Sequence, residues 1–184
     1  MFNKITIIGC GLIGSSLLRA INRKKLSTKI NAFDKSKEVG SFIKNNLSVN
    51  VCNDINDSVK DSDLVIISAP LSSYKEILLS IKNDLKNNVI LTDTGSAKKE
   101  VNTIISNLNL KHVNWIASHP IAGTEFSGPE AGFAELFEKR WCILSADKNI
   151  PKEEIQKLEK FWVSLGSKVK LMSFEHHDYV LSLT

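Results

Sequence analysis

The run Gly9-Cys10-Gly11-Leu12-Ile13-Gly14 restricts the fold of this chain more than any other feature. Ahead of it, Ile5 to Ile8 has the character of a short buried strand, stopped by Gly9. Behind it, Ile13, Leu17, Ala20 and Ile21 share one helical face. Arg19, Arg23, Lys24 and Lys25 lie outward or at the C-terminal end of that helix, where positive charge suits the dipole. Lys29 to Phe33 reads as a second strand and ends at Asp34, 20 residues past Gly14. A strand, G-x-G-x-x-G, a helix, a strand and then an acid form the context of a dinucleotide-binding βαβ unit.

Each position has a physical role in such a unit. Gly9 allows the tight turn, Gly11 lets backbone approach a pyrophosphate, and Gly14 lets the helix pack closely on the strand. Leu12 and Ile13 open the helix whose free N–H groups and positive dipole end face the phosphates. Asp34 would accept hydrogen bonds from the adenosine ribose and repel a 2′-phosphate, so NAD is the expected cofactor. Lys35 and Lys37 beside it leave NADP open.

The rest of the chain alternates in the same manner. Strands are expected near Val49 to Cys52, at Leu64 to Ala69, Val89 to Thr92, Val113 to Ser118, Trp141 to Leu144 and Val169 to Met172. Helices are expected over Glu38 to Asn46, along the stripe Tyr74, Ile77, Leu78, Ile81 and Leu85, and along Val101, Ile104, Ile105 and Leu108. A further helix is expected from Pro151 to Gly166 and another from about Glu175, with a short one at Phe133 to Phe137. Ser73 and Glu76 have capping-box spacing. This is an α/β pattern: a Rossmann-type, mostly parallel sheet with helices on both faces.

Composition narrows the partners. Net charge is only +4, and the basic residues are scattered lysines with three arginines, so no nucleic-acid footprint is expected. No apolar run reaches the roughly 18 residues that span a bilayer, so no membrane is expected. Cys10, Cys52 and Cys142 are odd in number and widely spaced, which suits free thiols in a reducing cytoplasm. The spacing of His and Cys suggests no metal site. Adjacent His176 and His177 would point about 100° apart on a helix.

In an open α/β sheet, ligands bind outside the carboxyl ends of the strands. Three polar features fall there: Ala69-Pro70, then Asp93-Thr94-Gly95-Ser96, then His119-Pro120. Pro120 biases His119 to extended backbone, so the strand is expected to carry the imidazole to its rim. A neutral imidazole is a good base near pH 7. Ser96 would hydrogen-bond it, or cap the helix that starts at Ala97-Lys98-Lys99, or do both. Lys98-Lys99 itself reads as a solvated helix face.

These residues carry a family resemblance. His119-Pro120-Ile121-Ala122-Gly123-Thr124-Glu125, followed by Ser127-Gly128, resembles the signature of the prephenate/arogenate dehydrogenases of tyrosine biosynthesis. Asp93-Thr94-Gly95-Ser96 resembles that family's D-x-G-S turn, and His177-Asp178-Tyr179 the pair opening its second, helical domain. The resemblance implies NAD-dependent oxidative decarboxylation of prephenate to 4-hydroxyphenylpyruvate, or use of arogenate. His119 and Ser96 would be catalytic, and Ser96, His119, Thr124, Glu125 and His177 would line the substrate. Gly9, Gly11, Leu12, Ile13, Gly14, Asp34, Ala69, Pro70 and Gly95 would hold the cofactor.

The family's carboxylate-binding arginine lies in its helical domain, beyond Thr184. Residues 1–172 are therefore expected to be the NAD(P)-binding domain. Residues 173–184 would start a connector helix to an absent domain through which the protein forms a homodimer. Two other readings stand beside this one. One is a related hydroxy-acid dehydrogenase, against which the His119 to Glu125 segment argues. The other is a non-catalytic NAD-binding module without the substrate domain.

Overall fold

The computed structural model describes residues 2–181, with the side chain of Leu181 outside the described part. The elements in order are β1 (Lys4–Ile8), α1 (Leu12–Arg23), β2 (Lys29–Phe33), α2 (Lys37–Asn46), β3 (Asn50–Val51), α3 (Ile55–Val59), β4 (Leu64–Ile67) and α4 (Tyr74–Ile81). Then follow β5 (Ile90–Asp93), α5 (Lys98–Asn107), β6 (Asn114–Pro120), β7 (Trp141–Ala146), α6 (Lys152–Ser164), β8 (Lys168–Leu171) and α7 (Phe174–Leu181).

The eight strands form one sheet in the order β3-β2-β1-β4-β5-β6-β7-β8. All neighbours are parallel except β6 and β7, which pair antiparallel with His119 opposite Ile143. Strand order reverses at β1, since the chain leaves it toward β2 and later returns beside it as β4. A crevice at the carboxyl ends of β1 and β4 follows from that topology.

Strand side chains alternate between two cores. Ile5, Ile7, Leu64, Ile66, Ile90 and Ile116 face α1, α2 and α6, which supply Leu17, Ile21, Ile43, Leu158 and Trp162. Ile8, Val65, Ile67, Leu91, Trp115 and Ala117 face the side covered by Leu78, Ile81, Val101, Ile105 and Phe174. The central strands are apolar on both faces because both faces are covered. On the second face, Trp115 and Ala117 set the period that carries His119 toward α5 and α7.

Several local expectations fail for identifiable reasons. No element was expected between β3 and β4: α3 has five residues, too few to show a period, although Asp54 caps it by accepting the N–H groups of Asn56 and Asp57. Ser73 makes no capping bond: a 3₁₀ turn over Leu71–Ser73 precedes α4, and Ser73 already has helical backbone angles. Phe133 to Phe137 forms turns rather than a helix, with Leu136 and Phe137 anchoring them in the core. The fourth strand stops at Ile67, short of Ala69.

Candidate functional site

The glycine turn has little freedom. Gly9 sits at φ +89°, and a Cβ there would lie 2.7 Å from the Ser68 carbonyl carbon and oxygen, where β4 ends beside β1. A Cβ on Gly14 would lie 1.9 Å from the Gly9 carbonyl oxygen, so the first turn of α1 packs directly on the turn before it. Gly11 differs: a Cβ there would meet nothing within 4 Å. That open space lies at the N-terminus of α1, where no side chain caps the helix and no acidic residue occupies the first turn. Free N–H groups, a positive dipole end and open room fit a dinucleotide pyrophosphate. Leu12 and Ile13, half-buried, anchor this end of α1 against the core.

Asp34 closes the other side of the turn. Its carboxylate accepts the Cys10 N–H at 2.7 Å and the Ser36 N–H at 2.9 Å, which fixes its orientation at the end of β2. Each carboxylate oxygen keeps acceptor capacity for a ribose hydroxyl. Cys10 is itself buried, and burial together with Asp34 pushes its thiol up to about 12, so it stays protonated.

At the end of β4, Ala69 is half-buried and Pro70 exposed. Next to them the Thr94 hydroxyl donates to Ser68 Oγ at 3.2 Å, and the Thr94 N–H to the Ile67 carbonyl at 3.0 Å. The loop after β6 folds back on α1: the Phe133 N–H donates to Ser16 Oγ at 3.1 Å. A Cβ on Gly132 would lie 2.1 Å from Ser15 Oγ, so loop and helix are in close contact. Thr124 and Glu125 are exposed on that loop, and the Phe126 N–H donates to Thr124 Oγ1 at 3.2 Å.

Below the rim lies a buried polar cluster that sequence reasoning did not find. Lys98 and Asp93 are both fully buried, and the Lys98 ammonium donates to Asp93 Oδ2 at 2.5 Å. Asp93 also accepts from the Gly95 N–H at 3.0 Å, the Tyr74 hydroxyl at 3.3 Å and the Ser118 N–H at 3.2 Å. Burial lowers the Lys98 ammonium from its ordinary value while Asp93 opposes the shift, and burial raises the Tyr74 hydroxyl. The expectation of a solvated Lys98-Lys99 face therefore holds only for Lys99, which is exposed. The legible signal was that Lys98, Val101 and Ile105 share one helical face, with two buried apolar residues in line with the lysine.

His119 stands on β6 as expected, half-buried. Its Nδ1 lies 3.0 Å from Nε2 of His177, whose Nδ1 lies 2.7 Å from Asp178 Oδ1. Asp178 also accepts the N–H groups of Lys98 at 3.1 Å and Lys99 at 2.9 Å, so it caps α5 from a distant part of the chain. Ser96 is not the cap: that position falls on Ala97, which offers no side-chain bond. Ser96 is exposed and makes no hydrogen bond to His119 among the described residues. His177, expected at the substrate, is fully buried, and both ring nitrogens are engaged within the protein.

Burial, then the charge of Lys98 and the neighbouring His177, push the His119 imidazole down to about 4; Asp178 offsets part of the shift. At neutral pH it is therefore uncharged and able to accept a proton. Burial opposes ionisation of Asp178, but hydrogen bonds from His177 and from the Lys99 and Lys98 N–H groups hold its carboxyl below the ordinary value. Among the described residues, no three His, Cys, Asp or Glu side chains are grouped to hold a metal ion, and no helix is long and apolar enough to cross a membrane. The arrangement offers a dinucleotide cradle and a neutral base at the carboxyl edge of one sheet.

Known proteins resemble it along nearly the whole chain. The family profile described as prephenate dehydrogenase, nucleotide-binding domain, matches residues 17–171. It begins after Gly14, so the glycine turn stands on its own geometry. The cyclohexadienyl dehydrogenase of Zymomonas mobilis is 40% identical over 185 residues, covering 100% of this chain and 63% of that protein. The prephenate dehydrogenase of Lactococcus lactis is 31% identical over 179 residues, covering 96% of this chain and 48% of that protein. Among solved structures, the prephenate dehydrogenase of Aquifex aeolicus, in complex with hydroxyphenyl propionate and NAD+, superposes with a TM-score of 0.87 at 29% identity. That match covers 98% of this chain and 63% of the other. The chain thus spans about half to two-thirds of the length of the relatives it matches.

Proposed function

The chain belongs to the prephenate dehydrogenase family through its nucleotide-binding domain, and from that premise we propose that it is the cofactor-binding portion of an NAD-dependent enzyme. The reaction assigned is oxidative decarboxylation of prephenate to 4-hydroxyphenylpyruvate and carbon dioxide. The observation that carries the reading is His119, held neutral by burial at the end of β6, on the same carboxyl edge as the glycine turn.

Bound NAD supplies the hydride acceptor for the carbinol carbon of the cyclohexadiene. Gly9, Gly11 and Gly14 shape the cradle for its pyrophosphate, with Leu12 and Ile13 opening α1 behind it. Asp34 is assigned to the adenosine ribose, and its negative charge favours NAD over NADP. Ala69, Pro70 and Gly95 border the nicotinamide side of the crevice. His119 accepts the proton of the ring hydroxyl as hydride leaves. Ser96, in the turn after β5, and Thr124 and Glu125, in the loop after β6, are exposed and are assigned to the substrate.

Residues 1–172 form the cofactor domain in this reading, and residues 173–184 the first turns of a helix that leads to a helical, dimer-forming domain. Support comes from α7, which starts at Phe174 after the last strand and leaves Tyr179 64% exposed. Val180 is half-buried, and residues 182–184 lie outside the described part. A cytoplasmic homodimer follows from the same assignment.

The test is direct. The full-length protein supplied with NAD and prephenate should form NADH with one carbon dioxide released per turnover. Arogenate, which carries an amino group in place of the side-chain ketone, is the second substrate to supply. Formation of NADH from neither, in protein shown to bind NAD, refutes the assignment.

A further inference from the structure

His119 faces three elements, each bearing charged or titratable groups. Lys98 lies on α5 with Asp93 of β5 behind it, His177 and Asp178 lie on α7, and Cys142 lies on β7. The hydrogen-bond order among them is restrictive. Two ring nitrogens share a hydrogen bond only when one carries a proton and the other does not. An ionised carboxylate can only accept. Asp178 already accepts two backbone N–H groups, which cannot turn away, so it stays an acceptor toward His177. His177 Nδ1, 2.7 Å away, therefore carries the proton. In a neutral ring, His177 Nε2 is then bare. His119 Nδ1, 3.0 Å from it, must donate. His177 is fully buried, so water offers no alternative partner.

We propose that Asp178 and His177 are positioning residues that lock His119 in its Nδ1–H tautomer, leaving the lone pair of Nε2 to take the substrate's proton. This rests on the reaction assigned above and deepens it. The relay reassigns His177 from the substrate to a place behind the base. It also gives Asp178 two tasks, since the carboxylate that sets the tautomer also caps α5. When Nε2 takes a proton, the new cation points its Nδ1–H along a path that ends on a carboxylate. Burial, and after it the charge of Lys98, disfavours that cation and keeps the resting ring neutral. A base in the wrong tautomer presents a donor where an acceptor is needed, and its proton-transfer contribution, about 10²–10⁴-fold, is lost.

The experiment uses the full-length protein labelled with ¹⁵N-histidine. Two-bond proton–nitrogen spectra report which nitrogen of each ring carries the proton, without any substrate. The wild type should show His119 protonated on Nδ1 and bare on Nε2, and His177 the same. His177→Leu removes the acceptor. His119 should then lose its single tautomer, and kcat should fall about 100-fold with the affinity for NAD unchanged. His177→Gln keeps a carbonyl acceptor and should recover at least tenfold of that loss, which a merely structural role would not produce. His119 protonated on Nε2 in the wild type overturns the proposal. So does a His177→Leu protein with an unchanged His119 spectrum and unchanged kcat. Should His177→Leu fail to fold, the wild-type spectrum decides alone. A protein that oxidises neither prephenate nor arogenate refutes the assigned reaction, whereas the tautomer is read independently of turnover.

Discussion

Replacing Lys98 with Met keeps most of the side-chain volume and removes one charge from a fully buried pair. Asp93 would remain, fully buried, with its carboxylate facing a thioether in place of an ammonium. Breaking one side of a buried ion pair costs about 3–5 kcal/mol, because the other charge is left uncompensated. Asp93 keeps three donors, from Tyr74, Gly95 and Ser118 at 3.0–3.3 Å, which places the expected loss near the lower end, about 3 kcal/mol. A domain of this size has a total stability of about 5–15 kcal/mol, so the loss is large but leaves a folded protein. Urea unfolding of the chain, followed by tryptophan fluorescence, should show a lower midpoint with an unchanged slope. Lys98→Met combined with Asp93→Asn removes both charges and should recover roughly half of the loss or more. A single variant that loses under about 1 kcal/mol, or a double variant less stable than the single one, would refute the argument that the buried charges depend on each other.

Two further perturbations probe the crevice. Gly14→Ala forces a Cβ to within 1.9 Å of the Gly9 carbonyl oxygen. The first turn of α1 must shift by about 1 Å, so calorimetry should show NAD affinity reduced at least about tenfold; unchanged affinity would mean the turn does not form the cradle. The second concerns pH. The folded protein holds His119 at about 4, below its ordinary 6.5. The unfolded chain therefore binds more protons between those values, and His119 weakens folding as pH falls from about 6.5 toward 4, with no effect above. The ring is partly exposed, so the loss is about 2 kcal/mol or less. His119→Asn should flatten that part of the stability curve, and an equally steep curve in the variant would contradict the assignment.

Much of the fold was legible because its signals were local. Gly9, Gly11 and Gly14 with Asp34 marked the βαβ unit, and the apolar stripes of α1, α4, α5 and α6 marked helices with one covered face. The placement of His119 on a strand end was legible from Pro120. What could not be read were polar contacts that exist only once the chain has folded. Asp178 caps α5 from 80 residues away, so Ser96, which had the right spacing, was the natural candidate for a cap it does not form. Lys98 is buried because Asp93, five residues earlier, meets it beneath the turn. His177 looked like a substrate contact because the family motif marks it, yet its ring sits behind His119. Asp178 and His177 take their partners from elements distant in sequence, whereas Lys98 and Asp93 lie five residues apart and meet only once the turn between β5 and α5 has formed.

In the proposed reaction His119 is the base of an NAD-dependent oxidation. Wild-type and His119→Asn full-length protein, compared for prephenate-dependent NADH formation and for NAD binding, separate that role from a structural one. With His119 as the base, kcat of the variant falls by about 10²–10⁴-fold while the dissociation constant for NAD stays within about twofold. Turnover retained at the wild-type rate would contradict it.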